Sequence, residues 1–306
     1  MTADVERALL VWPIVASLVA TFGTAAFVFL VAREGFFDLP AIAAPLLNWW
    51  RFFATVIFLL SPLLLLSVTA DMASVSWTSA VDLVPQVLKG THAGRVFEWF
   101  LPMALLLFLS VHLALQQSSR TVMMLLFSAA LLLLLALLSH AIDKGNVAVV
   151  VYFLHEIAVG LWTGSLLTLW TVARCENSRD EWIEHAAGCV SKVAFWSVIV
   201  LVITGTYTAY NCIGLDIYRL VFSAYGRTLI VKVTIFAAVL VIGAYNRYYL
   251  VPKVSECGAR NSLLRNVQIE WLILIFVVMG VASLLANTPP AHNMAGHPMS
   301  EGSCTM

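Results

Sequence analysis

Long apolar stretches alternate with short polar segments along the whole chain. Each stretch holds about 20 residues with few charges, which is the length that an α-helix needs to cross the hydrocarbon core of a bilayer. Backbone polar groups in hydrocarbon must satisfy one another, and runs of this length do so as helices. The pattern therefore predicts an all-α polytopic membrane helical bundle with eight spans: Leu9–Ala32, Trp49–Ala70, Val96–Leu115, Thr121–Ser139, Val147–Val172, Cys189–Tyr210, Arg227–Tyr245 and Asn266–Ala286.

The same pattern divides the chain into a transmembrane domain, residues 1–286, and a polar C-terminal tail, residues 287–306. Within the domain, the sequence THAGR that starts at Thr91 leads into the third span, and SAYGR from Ser223 leads into the seventh. Both Gly-Arg pairs open the third helix of a four-helix unit. We therefore expect a parallel repeat of four plus four helices, with units at residues 1–140 and 147–286.

Composition supports a membrane protein and excludes an ordinary soluble domain. Of the 306 residues, 61% are hydrophobic and only 11% are charged, whereas about a quarter are charged in soluble domains. Seventeen basic and seventeen acidic residues give a net charge of zero, so the lipid bilayer is an expected partner and nucleic acid is not. The five cysteines form no C-x-x-C pair, which argues against a disulfide framework or a zinc ribbon.

Orientation follows from the distribution of Lys and Arg among the predicted loops. The loops on the side opposite the termini carry the larger share, and cytoplasmic loops carry the excess in multi-pass membrane proteins. We therefore expect both termini to lie on the outer side of the membrane, which is the periplasm if the source is a Gram-negative bacterium. The first apolar stretch is too long for the core of a signal peptide, so it is predicted to be a span.

The fifth predicted span carries His155 and Glu156 side by side in its interior. An ionisable residue in hydrocarbon is costly and faces the interior of the bundle or a polar pathway, so its default interpretation is functional. We predict that His155 binds a metal ion. Glu156 lies about 100° further round the helix, and it is expected to set the histidine tautomer or to bond a neighbouring helix.

Three further histidines are candidate ligands. His140 ends the fourth span at the outer surface, His112 is expected about 24 Å deep in the third span, and His92 lies in an outer loop near a predicted entrance. By depth they predict a descending series of His140, His155 and His112, because a pathway needs separate sites that both bind and release an ion. The alternatives are a helix-packing role for His112 and a solvated loop position for His92.

The C-terminal tail concentrates side chains that bind soft metals. Imidazole, thioether and thiol groups suit copper far better than magnesium or calcium. The tail is therefore predicted to collect metal, the alternative being a disordered polar segment. The donors are His292, Met294, His297, Met299, Cys304 and Met306.

Other polar and small residues in the spans have expected structural roles. Gly160 and Gly164 form a G-x-x-x-G step, which lets a neighbouring backbone approach closely. Trp162 is expected to pack, and Lys232 is expected to extend towards the membrane interface. Glu270 is predicted one turn into the eighth span, paired with a nearby Arg or Lys.

A series of short motifs runs in order through the second half of the chain. In this order and spacing, the series resembles the CopD family of bacterial copper-resistance and copper-uptake membrane proteins. Two features depart from the family pattern: Ser139 replaces a glycine, and the His/Met tail is not general. The motifs are Ser139-His140-Ala141, H-x-x-A-x-x-x-W-x-G from His155 to Gly164, Thr204-Gly205, Tyr225-Gly226-Arg227 with Lys232, Asn246-Arg247 with Leu250-Val251-Pro252, Glu270, and Thr288-Pro289-Pro290.

The resemblance implies copper-ion transport, that is uptake, across the inner membrane, with a periplasmic copper-binding protein of the CopC type as partner. The ion is Cu(I) or Cu(II), and no enzymatic activity is implied. No P-loop motif is present, so direct use of ATP is not expected. Two alternatives are a haem-binding membrane oxidoreductase, since histidines on neighbouring spans can hold haem, and a copper-binding membrane protein that does not transport.

Overall fold

The computed structural model describes residues 2–32, 39–113, 115–139, 141–174, 180–254 and 256–286. Within them, eight helical segments are long and apolar enough to cross a membrane, and no strand occurs. The predicted all-α, eight-span class is confirmed. We number the helices by span: α1 Thr2–Ala32, α2 Leu39–Ala73, α3 His92–His112, α4 Gln117–Leu138, α5 Asn146–Ala173, α6 Asp180–Ile213, α7 Ala224–Tyr245 and α8 Cys257–Leu272.

Two of the helices continue through π-helical segments. Asn246–Leu250 follows α7 directly, and Ile273–Val278 joins α8 to its last part, Met279–Ala286. A π-helical segment inserts extra residues into the helical ladder and changes the face on which side chains emerge. Both segments lie close to the buried Glu270 described below.

Helices α6 and α8 each begin nine residues before the predicted span. Hydropathy windows detect the part of a helix that lies in hydrocarbon, whereas these first turns lie beyond it, on helices that both pack against α5. Glu270 consequently lies near the middle of the span Gly258–Leu284 rather than one turn into it. Buried side chains of the two first turns belong to the hydrophobic cluster around α5, and they include Ile183, Ala187, Leu263 and Val267.

Helix α1 lies at the centre of the bundle. Its most apolar window is 83% buried, and it packs against α2, α4, α5 and the last part of α8. Indole groups tie it to its neighbours: Trp12 Nε1 donates to Ile275 O at 2.7 Å, and Trp50 Nε1 donates to Thr24 Oγ1 at 2.7 Å. One hydrophobic cluster surrounds α1 to α4, and a second joins α5 to α8 with the end of α1.

The closest approach of two helices described in the structure is between α1 and α5. A Cβ atom added to Gly23 would lie 1.6 Å from Gly160 O, and one added to Gly164 would lie 2.1 Å from Gly23 C. The prediction that the G-x-x-x-G step admits a neighbouring backbone is confirmed, and the neighbour is α1. This contact fixes one side of α5, so that its other side faces α6, α7 and α8.

The two Gly-Arg turns have the same local structure. Thr91 Oγ1 accepts from Gly94 N at 2.9 Å, and Ser223 Oγ accepts from Gly226 N at 2.9 Å, which caps α3 and α7 respectively. A short helix precedes each turn, and a Cβ on either glycine would collide with a carbonyl oxygen of that short helix. The equivalence is local, and the full four-plus-four repeat stays a prediction.

Candidate functional site

His155 lies among the helices joined by the second hydrophobic cluster, where α5 packs against α6. It is nine residues from the start of α5, which is about 14 Å along the helix. Its Nδ1 atom is 2.9 Å from Thr204 Oγ1 on α6. The next residue, Gly205, has no side chain, and a Cβ there would lie 3.8 Å from His155 Cε1, so the ring is seated closely against α6.

The hydrogen bonds of Thr204 determine which ring nitrogen of His155 carries the proton. Thr204 Oγ1 donates its single proton to Val200 O at 2.7 Å. With the hydroxyl proton assigned to Val200 O, the same oxygen accepts from His155 Nδ1, which then carries the hydrogen, and Nε2 keeps its lone pair. Metal-binding histidines are commonly held in this way, with one nitrogen bonded to the protein and the other available for a metal.

Glu156 is only 9% exposed, and its Oε2 atom has no hydrogen-bond partner among the described residues. Lys232 of α7 lies close enough to act electrostatically on both Glu156 and His155. Lys232 therefore has ionisable neighbours within the bundle, besides its expected extension towards the membrane interface. Removing this cation would leave the buried carboxylate uncompensated, which is the costly case for a buried charge.

Three helices bring these groups to one level. Glu156 is ten residues into α5 and Lys232 is eight residues into α7, which places them about 15 and 12 Å from the same face of the bundle. Thr204 lies nine residues before the end of α6 at that face, about 14 Å deep. The level holds an imidazole, a carboxylate and an ammonium group in the span region.

The remaining candidate ligands lie elsewhere. His92 is the first residue of α3 and exposed, with Nε2 3.2 Å from Leu137 O of α4. His112 is the last residue of α3 and exposed, with its ring centroid 4.3 Å from that of Phe108. Since the two end the same helix about 30 Å apart, His112 lies deeper than His155, exposed at the far end of α3, and its place in a descending series stays a prediction.

Other predicted donors lie outside the described residues: His140, His292, Met294, His297 and Met299. Among the described residues, no three His, Cys, Asp or Glu side chains come together to hold a metal ion. The chemistry at the His155 level is thus one imidazole nitrogen beside one carboxylate. Such a pair suits transient coordination rather than a closed structural metal centre.

Glu270 is the centre of a second buried polar group. It is 2% exposed, with Oε1 accepting from Trp162 Nε1 at 2.9 Å and Oε2 accepting from Asn246 Nδ2 at 3.1 Å. Asn266 Nδ2 in turn donates to Asn246 Oδ1 at 2.9 Å. The predicted Arg or Lys partner is therefore replaced by two neutral donors, and Trp162, expected only to pack, also binds Glu270.

A cavity of about 190 Å³ adjoins Glu270 between α5, α6, α7 and α8. Most of the residues that line it are apolar, and its polar lining residues include Asn246, Ser191 and Arg247. Arg247 Nη1 donates to Ser191 O at 2.5 Å and to Ser191 Oγ at 3.0 Å, which holds the guanidinium against α6. The cavity lies further along α5 than His155, towards the end of the bundle where α6 and α8 begin.

Sequence reasoning missed the roles of Thr204, Lys232 and Asn246. All three stand in short motifs within apolar spans, and a polar residue there needs a partner. The order of the motifs along the chain could indicate that these residues are functional candidates. It could not show that Thr204 meets His155, because that contact depends on how α5 and α6 are rotated.

Two family models match the chain. The model described as copper resistance protein D matches residues 185–285, and the model described as copper resistance protein D-like, N-terminal domain, matches residues 4–148. The chain belongs to the copper resistance protein D family. It is accordingly a multi-pass membrane protein of copper resistance. No curated protein and no solved structure matched the chain.

The two family matches leave residues 149–184 between them. That interval contains His155, Glu156 and Trp162, whereas Thr204, Lys232 and Glu270 lie inside the copper resistance protein D match. The matches therefore identify the family, and the geometry around α5 is the basis for assigning roles to its side chains.

Proposed function

We propose that this chain admits copper ions across the bacterial inner membrane and that His155 binds the ion within the bundle. The observation that carries the proposal is the bond from His155 Nδ1 to Thr204, which leaves Nε2 as a metal donor inside a span. An imidazole serves both Cu(I) and Cu(II). Copper is the cargo, and the family assignment supplies its identity.

The neighbours of His155 suit brief binding. Glu156 places negative charge beside the ion and so lowers the cost of a cation in a low-dielectric region. Lys232 opposes that effect and keeps the level close to neutral. Transport requires that an ion bind strongly enough to enter and weakly enough to leave, and one imidazole beside a compensated carboxylate meets that requirement.

On this proposal, copper reaches the bundle from the periplasmic side. A CopC-type protein or the tail donors His292, Met294, His297 and Met299 would hand it on, with His92 and His140 nearer the entrance. This direction rests on the Lys and Arg distribution, which places both termini in the periplasm. The protein acts as a transporter and not as an enzyme.

The decisive experiment compares copper accumulation in cells that express the wild type, His155→Ala or His185→Ala. We expect His155→Ala to abolish expression-dependent accumulation while the protein stays folded and inserted. His185 of α6 contacts Cys189 at 3.5 Å and lies away from the His155 level, so His185→Ala should accumulate copper normally. Unchanged accumulation in His155→Ala would remove His155 from the pathway.

An absorption spectrum and metal analysis of the purified protein separate the alternatives. A Soret band would favour the haem-binding oxidoreductase. Bound copper without any change in cellular copper on expression would favour a binding protein that does not transport. The proposal expects copper in the wild type, less copper in His155→Ala, and no Soret band in either.

A further inference from the structure

Glu270 lies outside the copper site proposed above. It is 2% exposed, lies near the middle of its span, and the partners of both its oxygens, Trp162 and Asn246, are neutral donors. A carboxylate ionised in this place needs a compensating cation or must take up a proton, since an uncompensated charge costs several kcal/mol there.

The hydrogen bonds around Glu270 can adapt to either protonation state. In the observed arrangement Asn266 donates to Asn246, and Asn246 donates to the carboxylate. If both amide groups rotate by half a turn, Asn246 Oδ1 accepts an O–H bond from protonated Glu270, and Asn246 Nδ2 donates to Asn266. The Glu270–Asn246 and Asn246–Asn266 hydrogen bonds are then both kept with their directions reversed, because an amide group offers both a donor and an acceptor.

The cavity leaves space for water beside the carboxyl group. Its volume of about 190 Å³ is several times the roughly 30 Å³ that a water molecule occupies in the liquid, and both Glu270 and Asn246 line it. The π-helical segment Asn246–Leu250 begins at the residue that bonds Glu270, and the segment Ile273–Val278 begins three residues after Glu270. Such segments are frequent at functional sites.

The charged and titratable side chains that face this cavity are few. Arg247 and Tyr248 follow α7, and Glu270 belongs to α8, while α5 and α6 contribute Trp162 and Ser191 as polar members. The Arg247 guanidinium is bonded to Ser191 and lies 4.9 Å from the Phe195 ring centroid. It provides positive potential in the cavity, while the direct partners of the carboxylate remain neutral.

We propose that Glu270 is a proton-binding site served by this cavity, and that a proton binds and leaves there as copper passes the His155 level. The coupling of this proton to copper movement rests on the proposed function. The proton moves between a water molecule in the cavity and a Glu270 oxygen, so charge and atoms balance without any other reactant.

Helix α5 links the two levels. His155 and Trp162 are seven residues apart on it, which is about 10.5 Å along the axis. A movement of α5 when copper binds His155 would lengthen the bond from Trp162 Nε1 to Glu270. Losing one N–H donor disfavours the ionised carboxylate, so copper binding would shift Glu270 towards its protonated form.

Infrared difference spectra on the purified full-length protein test proton binding without requiring transport. We expect a pH-dependent C=O band of a buried carboxylic acid in the wild type and its loss in Glu270→Gln. The amide introduced by this substitution mimics the protonated acid and fits the rotated hydrogen bonds, so the variant should fold. Glu98→Gln, an exposed carboxylate in α3, is the matched control and should keep the band. A band that persists in Glu270→Gln would overturn the proposal.

Copper flux in proteoliposomes tests the coupling. With a pH-sensitive dye inside, the wild type and Glu98→Gln should change the internal pH in step with copper entry, and Glu270→Gln should lose at least about nine-tenths of that pH change. Copper entry without a pH change in the wild type would overturn the coupling and leave the proposed transport intact. Absence of copper entry in the wild type would instead overturn the proposed function, while the infrared result still decides whether Glu270 binds a proton.

Discussion

Thr204 Oγ1 accepts a hydrogen bond from His155 Nδ1 across the α5–α6 interface, at 2.9 Å. With the threonine's own proton assigned to Val200 O, 2.7 Å away, this bond favours the tautomer of His155 that carries its hydrogen on Nδ1. The function proposed for His155 therefore depends on a residue that itself binds no metal.

Replacing Thr204 by valine keeps the side-chain shape and removes the acceptor. We expect the protein to fold and its copper affinity to fall by about 10- to 100-fold, which is the usual cost of losing the partner of a metal-binding histidine. Competition titration with a Cu(I) chelator measures the copper affinity. Thr208→Val removes a similar hydroxyl one turn along, bonded to Thr204 O at 2.9 Å, and should leave affinity unchanged. Equal affinity in both variants would contradict the role given to Thr204.

Substitution at the α1–α5 contact should affect folding. Gly164→Ala places a methyl group 2.1 Å from the backbone of Gly23, so α1 and α5 must separate. We expect a loss on the order of 3 kcal/mol, at the upper end of overpacking costs, seen as a lower unfolding temperature in detergent. Gly188→Ala meets no atom within 4 Å and should be neutral or stabilising. Equal unfolding temperatures for the two variants would exclude the close contact.

The charge relationship between Glu156 and Lys232 predicts a compensating pair of substitutions. Lys232→Met leaves the carboxylate buried without its cation and should cost about 3–5 kcal/mol. Adding Glu156→Gln removes the unpaired charge and should restore most of that stability in a double-mutant cycle. Arg227→Met, at an exposed position near the start of α7, should change stability by less than about 0.5 kcal/mol. Additive effects of the two substitutions would show that the pair is not coupled.

The tail prediction concerns residues beyond those the structure describes. Removing the residues after Pro290 should weaken copper uptake at low external copper and leave it normal at high copper, because the tail raises the local concentration of the ion. A full-length variant with His292, Met294, His297 and Met299 replaced by serine should behave like the truncation. Loss of uptake at every copper concentration would mean that the tail does more than collect metal.

The sequence predicts the class of fold well because hydrocarbon constrains it so strongly. Runs of about 20 apolar residues admit few structures other than helices, and the eight spans follow from that alone. Helix ends are less predictable. The first turns of α6 and α8 carry polar residues, and the burial of side chains such as Ile183 and Leu263 in the cluster around α5 explains why the helices extend so far.

The site was predictable in part. His155 and Glu156 are conspicuous as ionisable residues within an apolar run, and the glycine step of α5 predicts a close neighbour. Partners from other helices are not predictable in this way, since they depend on the rotation of each helix about its axis. From the sequence alone, Lys232 could equally extend to the membrane interface, and Glu270 could equally pair with a Lys or Arg side chain. Their actual neighbours, Glu156 for the first and Trp162 with Asn246 for the second, are fixed by packing.

The contact of Gly23 with Gly160 and Gly164 has a consequence for the order of assembly in the membrane. Synthesis places α1 in the bilayer more than a hundred residues before the α5 glycines leave the ribosome. Until then, the surface of α1 around Gly23 is covered by lipid and by the contacts that α2 to α4 provide. The packing of α1 is therefore completed by helices from the second half of the chain, first by α5 and then by the last part of α8.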